Sequence, residues 1–561
     1  MAKPYSNSEM SELDRADSTT DSLRISTRND FHYGHAPLSR MRQIILVAIL
    51  DASIVSTSLV TISVNLSDFV NSPWVALSYL LAYMGFAVLF AKLSDIFGRK
   101  EMLITAWTLF TGFSLGCGLA PNMPSLIVFR AFQGIGGSGL YSLAQTGLFE
   151  VGPSDKPSLL GALIGMTLAI SFVLGPVLGG TITQFSSWRW IFFINIPFGI
   201  LALVGLLFAW PRTNTRNFSG LWDSIRGLDV FGNVMIISAS SLLVYALQQA
   251  GAFNYAWDSP AIIAALSISA ISLVSFIGWE IYLGRKRHPF LQPVLPIRIM
   301  TQRPFLAALS CSFFAGFEYL AVIIILPERF QIVNGDSSLM AGIHLLPQLG
   351  ACAFGSFLAG AVSKKRNNSA FTLIAASCLQ LIGLSLLSTL SNVHTAIEAQ
   401  YGYQTIFGLG IGLSFASVTI LTSVRAHRED LAVAQGALAQ ARVLGGAIGI
   451  AICMIIVNTT LQNELGDMLG PRDMSALQHN ARTAQFFPPD ILEKIKSVYA
   501  EAFSVDIKMM MGLSVFGLAT SLCAFERNPP PMPTQDSHKE TAIGVQLEHS
   551  QVELNEFARS H

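Results

Sequence analysis

Asp51, Arg130, Glu318 and Arg442 are ionisable side chains inside long apolar runs of this 561-residue chain. A charge in such a run is costly, so by default it handles an ion, meets a ligand or is paired. Asp51 is followed by Ser53, Ser56, Thr57 and Ser58, an unusually polar stretch among Ile, Val and Leu. Taking a carboxylate out of water disfavours its charged form, which suits a group that must pick up and release a proton. Asp51 therefore either carries a proton or cation, or is permanently paired to an arginine. On a helix, Arg130 shares a face with Gln133, Gly134 and Gly137 at i+3, i+4 and i+7. A guanidinium placed there can bias the protonation of a nearby carboxylate, or form a static pair with it. Glu318, in CSFFAGFEYLAVIII, is either a proton or substrate contact or a satisfied polar partner. Arg442 shares a face with Gly445, Gly446 and Gly449 and is either a counter-charge or a helix–helix anchor. Glu280 reads as a snorkelling side chain at a helix end, and His344 as a packed polar residue that could titrate near neutral pH.

Arg130 also opens RAFQGIGGSG, in which Gly134, Gly136 and Gly139 spell G-x-G-x-x-G. As a dinucleotide cradle that motif needs a preceding strand, a turn and an acidic residue about 20 positions on. Here it lies within one apolar helical run, so the glycines are better explained by close helix packing. There is no H-E-x-x-H or phosphate-loop G-x-x-x-x-G-K, which argues against a zinc hydrolase and against an ATP-driven pump. The one G-x-S-x-G, Gly112 to Gly116, lies inside an apolar helical run and not at a strand-to-helix turn, so an enzyme is not expected. Cys117, Cys311, Cys352, Cys378, Cys453 and Cys523 all fall in apolar runs without a C-x-x-C pair. Neither a disulfide framework nor a metal site is expected, and no cofactor.

The elements that must position these residues follow from composition. Charged residues make up 12% of the chain, hydrophobic ones 52%, and mean hydropathy is +0.51. Soluble domains carry roughly 25% charged residues. The formal net charge is zero, which gives no basis for nucleic-acid binding. The apolar runs predict an all-α polytopic membrane protein of fourteen spans, near 42–63, 74–91, 102–120, 124–149, 158–184, 190–210, 228–250, 260–283, 304–327, 338–362, 370–390, 400–423, 434–458 and 503–525. Asp51 then lies about 14 Å into the first span, near mid-membrane. With the N-terminus in the cytoplasm, inner loops hold most of the Lys and Arg, including Lys92, Arg99, Lys100, Arg285, Lys364 and Arg425; the short outer loops hold only Arg189 and Arg329. Both termini are thus expected in the cytoplasm. The regions read as a disordered tail over 1–41, a six-helix bundle over 42–210, linker loops with two extra helices over 211–303, a second six-helix bundle over 304–525 with a long outer loop near 459–502, and a disordered tail over 526–561. Asn65 and Asn458 match the glycosylation triplet on the outer side, but both sit close to helix ends, which argues against modification.

Three stretches bring a family into view. AKLSDIFGRK (Ala91 to Lys100) resembles the loop signature of the major facilitator superfamily, RAFQGIGGSG its fourth-helix signature, and SFVLGPVLGG (Ser171 to Gly180) the fifth-helix signature of its antiporter branch. LDASIV, WRWIFFINIPFG (Trp188 to Gly199) and ARVLGGAIG (Ala441 to Gly449) extend the likeness over roughly residues 41–525. The chain resembles the fungal, fourteen-spanner drug:proton antiporters. Ala91 and Ser171 stand where these signatures usually carry glycine. The resemblance implies a fold of two six-helix bundles with two extra central helices. It implies a conformational-switch contact at Asp95, Gly98, Arg99 and Lys100, and a kinked, close-packed helix at Gly175, Pro176, Gly179 and Gly180. It also implies a role in proton coupling for Arg130 and Gln133, and it leans the same way for Asp51.

The function expected is proton-coupled efflux of small, largely apolar organic compounds, in a monomer embedded in the lipid bilayer, with small-molecule cargo and protons as partners. The plasma membrane is favoured over the vacuolar membrane. A vacuolar amino-acid or siderophore carrier of the same fold is the alternative, and a transport-inactive receptor the alternative of another class. A carrier of cationic amino acids would want more buried acids than Asp51 and Glu318.

Overall fold

The computed structural model describes residues 51–532 apart from 52–53, 56–57, 67, 69–70, 72, 152–156, 210–228, 252–254, 287–292, 296, 365, 391–396, 427–429, 471–472, 475–476 and 478–486. Both polar tails, expected to be disordered, lie outside the described residues. So does most of the first expected span, of which Asp51, Ile54, Val55, Ser58 and the start of α1 (Leu59–Leu66) are described.

Every described element is helical. The N-terminal half continues with α2 (Pro73–Phe97), α3 (Arg99–Leu119), α4 (Met123–Val151), α5 (Pro157–Phe185), the short α6 (Trp190–Phe193) and α7 (Asn195–Ala209). Next come α8 (Val230–Gly251), α9 (Pro260–Lys286) and the short α10 (Ile297–Met300). The C-terminal half comprises α11 (Arg303–Ile332), α12 (Ser338–Ile343), α13 (Leu346–Val362), α14 (Ser369–Leu387), α15 (Ile397–Arg425), α16 (Leu431–Leu465) and α17 (Pro489–Cys523). Ten helices among the described residues are long and apolar enough to cross a membrane. This is an all-α, multi-pass membrane architecture.

Several helices outrun the apolar stretches that announce them. α11 continues through Pro327 to Ile332, so Arg329 is a buried helical residue, not an outer-loop charge; its Nη2 donates to Leu390 O at 3.1 Å. α16 runs on to Leu465 and α17 starts at Pro489, well before the expected 503. The helical stretch IKSVYAEAF is amphipathic, and its apolar side packs Ile495, Val498 and Tyr499 against Leu461 and Leu465. A hydropathy window misses such a segment because burial of one face, not mean apolarity, holds it.

Glycine determines how closely the helices meet. Glycine in a helix costs about 1 kcal/mol relative to alanine. In α4 that cost is offset by backbone contact. A Cβ at Gly136 would lie 2.6 Å from Phe110 N on α3, one at Gly139 2.7 Å from Phe90 Cδ1 on α2, and one at Gly134 would collide with Tyr79 O. The same device joins α11 to α16: Gly316 abuts the backbone of Arg442, and Gly445 that of Phe313. One apolar core runs from Trp107 and Phe110 through Tyr83 and Tyr141 to Tyr319, Phe407 and Phe415, and so belongs to both halves. The halves also meet where Gly165 on α5 faces Ser356 on α13, and Gly436 on α16 faces Val88 and Ala91 on α2. α8 touches both halves, with Ile237 against Gly85 on α2 and Gly251 against Ile455 on α16. α9 packs on α8 and turns many apolar side chains outward, among them Ile263, Ile271 and Val274, as a lipid-facing helix would.

A buried ion pair and a chain of aromatic rings

Asp51 and Arg130 come together in the N-terminal half. Arg130 Nη1 donates to Asp51 Oδ2 at 2.6 Å, and both side chains are sealed from solvent. The carboxylate is fully dressed. Its Oδ1 accepts from Gln133 Nε2 at 3.0 Å and from Asn195 Nδ2 at 2.6 Å. Arg130 is equally well satisfied: Nη1 also reaches Gln133 Oε1 at 2.8 Å, Nε donates to Val75 O at 3.1 Å, and the guanidinium lies 4.2 Å from the centre of the Tyr79 ring. Gln133 links the pair to α3, donating to Ser114 Oγ at 2.7 Å and accepting from Cys117 Sγ at 3.5 Å. A buried ion pair holds only when its remaining donors and acceptors are used, and here they are. Of the two readings of Asp51, the structure supplies the arginine; a proton carrier in its anionic state would show the same contact.

The positions follow from local sequence. Arg130 and Gln133 are i and i+3 on α4 and so share a face. Gly134 and Gly137, on the next turn, let that face press onto Tyr79 of α2. Asn195 opens α7, just after the break at Ile194 that separates α6 from α7. Asn195, Tyr79 and Ser114 were not legible as site residues. Asn195 sits within WRWIFFINIPFG, and the only hint was a lone amide among Phe and Ile.

A second arginine lies at the junction of the halves. Arg442 on α16 is 5% exposed; its Nη1 donates to Tyr141 OH on α4 at 2.9 Å, and its guanidinium sits 4.3 Å from the Phe415 ring centre on α15. Its Nε and Nη2 have no hydrogen-bond partner among the described residues. Rings connect the two arginines: Tyr79 stacks on Tyr83 at 5.9 Å, Tyr83 lies 6.0 Å from Tyr141, and beyond Arg442 the Phe415 ring meets Tyr319 at 5.4 Å. Gln145 Nε2 on α4 donates to Gln435 Oε1 on α16 at 3.1 Å, a further bond between the halves.

The other expected site residues lie elsewhere. Glu318 on α11 is 1% exposed and faces Ser514 on α17, with no cation paired to it among the described residues. Asp506 on α17 is likewise buried, beside Cys453 on α16; it falls within the expected span 503–525 but was not singled out as a site residue. Glu280 does not snorkel: it is buried and accepts from Val294 N at 2.9 Å and Leu295 N at 3.3 Å, tying α9 to the segment before α10. His344 bonds Tyr401 OH through Nδ1 at 2.6 Å and faces Asp336 at 3.5 Å.

In the loop motif the Asp95 side chain lies outside the described residues. Gly98 has φ +105°, a backbone region that side chains rarely adopt, and makes the turn between α2 and α3. Arg99 donates to Ala91 O at 3.4 Å and to Ser94 Oγ, so it closes the end of α2; Lys100 is half-buried in the first turn of α3. Gly175, Gly179 and Gly180 are buried in α5, which continues through Pro176, and Ser58 Oγ donates to Gly179 O at 3.4 Å. Asn65 is exposed and donates to Thr61 O at 2.9 Å, whereas Asn458 is buried and donates to Gly251 O at 2.8 Å, where no glycan could be attached.

Known proteins share this frame. The sequence profile described as Major Facilitator Superfamily matches residues 44–450. The chain is 36% identical over 519 residues to "MFS-type transporter FPY5" of Fusarium mangiferae, covering 90% of this chain and 86% of that protein. It is 29% identical over 470 residues to "Efflux pump aflT" of Aspergillus parasiticus (83% and 90% covered), and 28% identical over 428 residues to "Rubrofusarin-specific efflux pump aurT" of Gibberella zeae (76% and 77%). Among solved structures, an inward-facing, unoccupied bacterial homologue of the human lysosomal transporter Spinster superposes with a TM-score of 0.56 at 13% identity, covering 89% of this chain and 100% of that one.

Proposed function

Because the chain belongs to the major facilitator superfamily, we propose that it is a proton-coupled efflux transporter for small organic compounds. Relatives that cover most of its length carry the name efflux pump, which fits a transporter, not an enzyme. The observation that carries the coupling is the Asp51 carboxylate, buried and bonded at once to Arg130, Gln133 and Asn195. A proton added to Asp51 removes the anion that Arg130 answers. Breaking a buried pair from one side costs about 3–5 kcal/mol, which shifts a two-state equilibrium by a factor of about a hundred to a few thousand. The proton thus sets how α4 and α7 sit against the segment carrying Asp51. Rocking of the two halves about their shared core then exposes the cargo site to alternate faces.

In this reading the halves and the α8–α9 pair make fourteen crossings of the plasma membrane, with both termini in the cytoplasm, and the monomer is the transporting unit. Glu318 is the second proton-coupling candidate, supported by its burial without a cation partner.

The test is Asp51→Asn in proteoliposomes with an imposed proton gradient. Gradient-driven cargo movement is expected to fall at least about tenfold, while cargo binding in detergent persists. Unchanged driven efflux would remove Asp51 from the mechanism, and no gradient-dependent movement by the unaltered protein would sink the whole reading.

A further inference from the structure

The two buried arginines differ in one respect. Arg130 meets a carboxylate, an amide and a carbonyl. Arg442 meets one phenol and the face of one ring, and keeps Nε and Nη2 unpartnered. No described carboxylate forms an ion pair with it, although five other ion pairs occur among the described residues. Leaving buried donors of a charged group unsatisfied is expensive, and a guanidinium is built to hold a carboxylate or similar planar anion in a two-pronged grip. Arg442 stands where the two halves meet, since Tyr141 and Tyr83 belong to the N-terminal half and Phe415 to the C-terminal half. Tyr83 and Cys352 also lie within electrostatic reach of the guanidinium.

We propose that Arg442 is the anion-binding point of the cargo site, and that the preferred cargo is a planar aromatic compound bearing a carboxylate or an equally acidic oxygen. This deepens the efflux reading and rests on it. In the state described here the guanidinium is closed in, and Tyr141 OH occupies one donor. As the halves part, that bond lengthens and all the donors of Arg442 open to the gap. The cargo anion then takes the place of the phenol, and its ring lies against Phe415 and Tyr83. Cargo and inter-half contact compete for one guanidinium, so cargo binding favours the parted state. A cationic or neutral cargo would leave Arg442 without its answering charge.

The test uses purified full-length protein and a matched pair of probes, 2-naphthoate and the neutral 2-naphthamide. Binding is read in detergent by tryptophan fluorescence or calorimetry, and transport in proteoliposomes. The unaltered protein is expected to bind naphthoate about tenfold or more tighter than naphthamide. Arg442→Gln should abolish that preference while leaving naphthamide binding in place, and Arg442→Lys should restore part of it. Equal binding of both probes by the unaltered protein, or a preference for the amide, overturns the proposal without any variant. An equal loss of both probes in a well-folded Arg442→Gln protein overturns it as well, since it would make Arg442 a packing residue. Naphthoate binding that persists without gradient-driven transport would count against the efflux reading and leave the anion point standing.

Discussion

At the scale of single residues, the chain solves the problem of a buried charge in two ways. Asp51 and Arg130 neutralise each other; the carboxylate also accepts from Gln133 and Asn195, and the guanidinium also donates to Gln133 and Val75 O. Asn195 is the member contributed from farthest along the chain. Asn195→Ala removes one donor from a buried carboxylate, a loss of about 1–3 kcal/mol. The expected outcome is a folded protein whose gradient-driven efflux falls about tenfold or more, with the Asp51–Arg130 contact strained rather than lost. An Asn195→Ala protein that couples normally would make Asn195 a bystander. Asp51, Arg130 and Gln133 were legible because a charge in an apolar run stands out and the i, i+3 spacing fixes a face. Asn195 was not, because its partner lies 144 positions away and an amide in such a run carries no signal of its own.

At the scale of elements, glycine spacing governs the contacts. α4 lies against α2 and α3 with backbone on backbone at Gly134 and Gly136. No rotamer change can take up a displacement there, so α2, α3 and α4 behave as one keyed unit. Gly136→Leu puts a side chain where a Cβ alone would stand 2.6 Å from Phe110 N. Overpacking by even a methylene or two costs about 1–3 kcal/mol. The variant is expected to melt earlier in detergent and to yield less folded protein, without altering cargo preference in whatever folds. A thermal midpoint unchanged from the parent would show that the helices are not keyed at this point. The glycines of the G-x-G-x-x-G pattern were expected to serve close packing, and Gly134, Gly136 and Gly139 do stand against α2 and α3. EKIKSVY in the long outer loop was legible as a stretch that could form a short amphipathic helix. Its continuity with the last apolar run as one helix, α17, and the extra turns of α16 were not, because polar residues such as Glu493 and Lys494 interrupt the apolar run while the opposite face is buried.

At the scale of the whole molecule, the two halves share a core and meet along α2–α16 and α5–α13. Transport by rocking requires that such contacts open. A Cβ built on Gly436 lies 3.8 Å from Ala91 Cβ, within the about 3.5–4.5 Å that a disulfide spans. Ala91→Cys with Gly436→Cys, in a Cys523→Ser background that removes the exposed native thiol, is expected to cross-link on oxidation. Efflux should stop and should return on reduction. Full transport by the oxidised, cross-linked protein would mean that α2 and α16 do not separate in the cycle. The two-bundle plan was legible from signatures placed in order along the chain. The meeting of Tyr141 with Arg442 was not, since 301 positions separate them and neither residue specifies the other.

The unanswered charge of Arg442 also bears on energy supply. A carrier that exchanges one entering proton for one departing anion moves two elementary charges in the same electrical sense. With the cell interior negative, each charge gains about 2.3 kcal/mol per 100 mV, so the pair draws about 4.6 kcal/mol from voltage alone. Such a carrier would keep exporting after the pH difference had collapsed, and would stall once the membrane was depolarised as well.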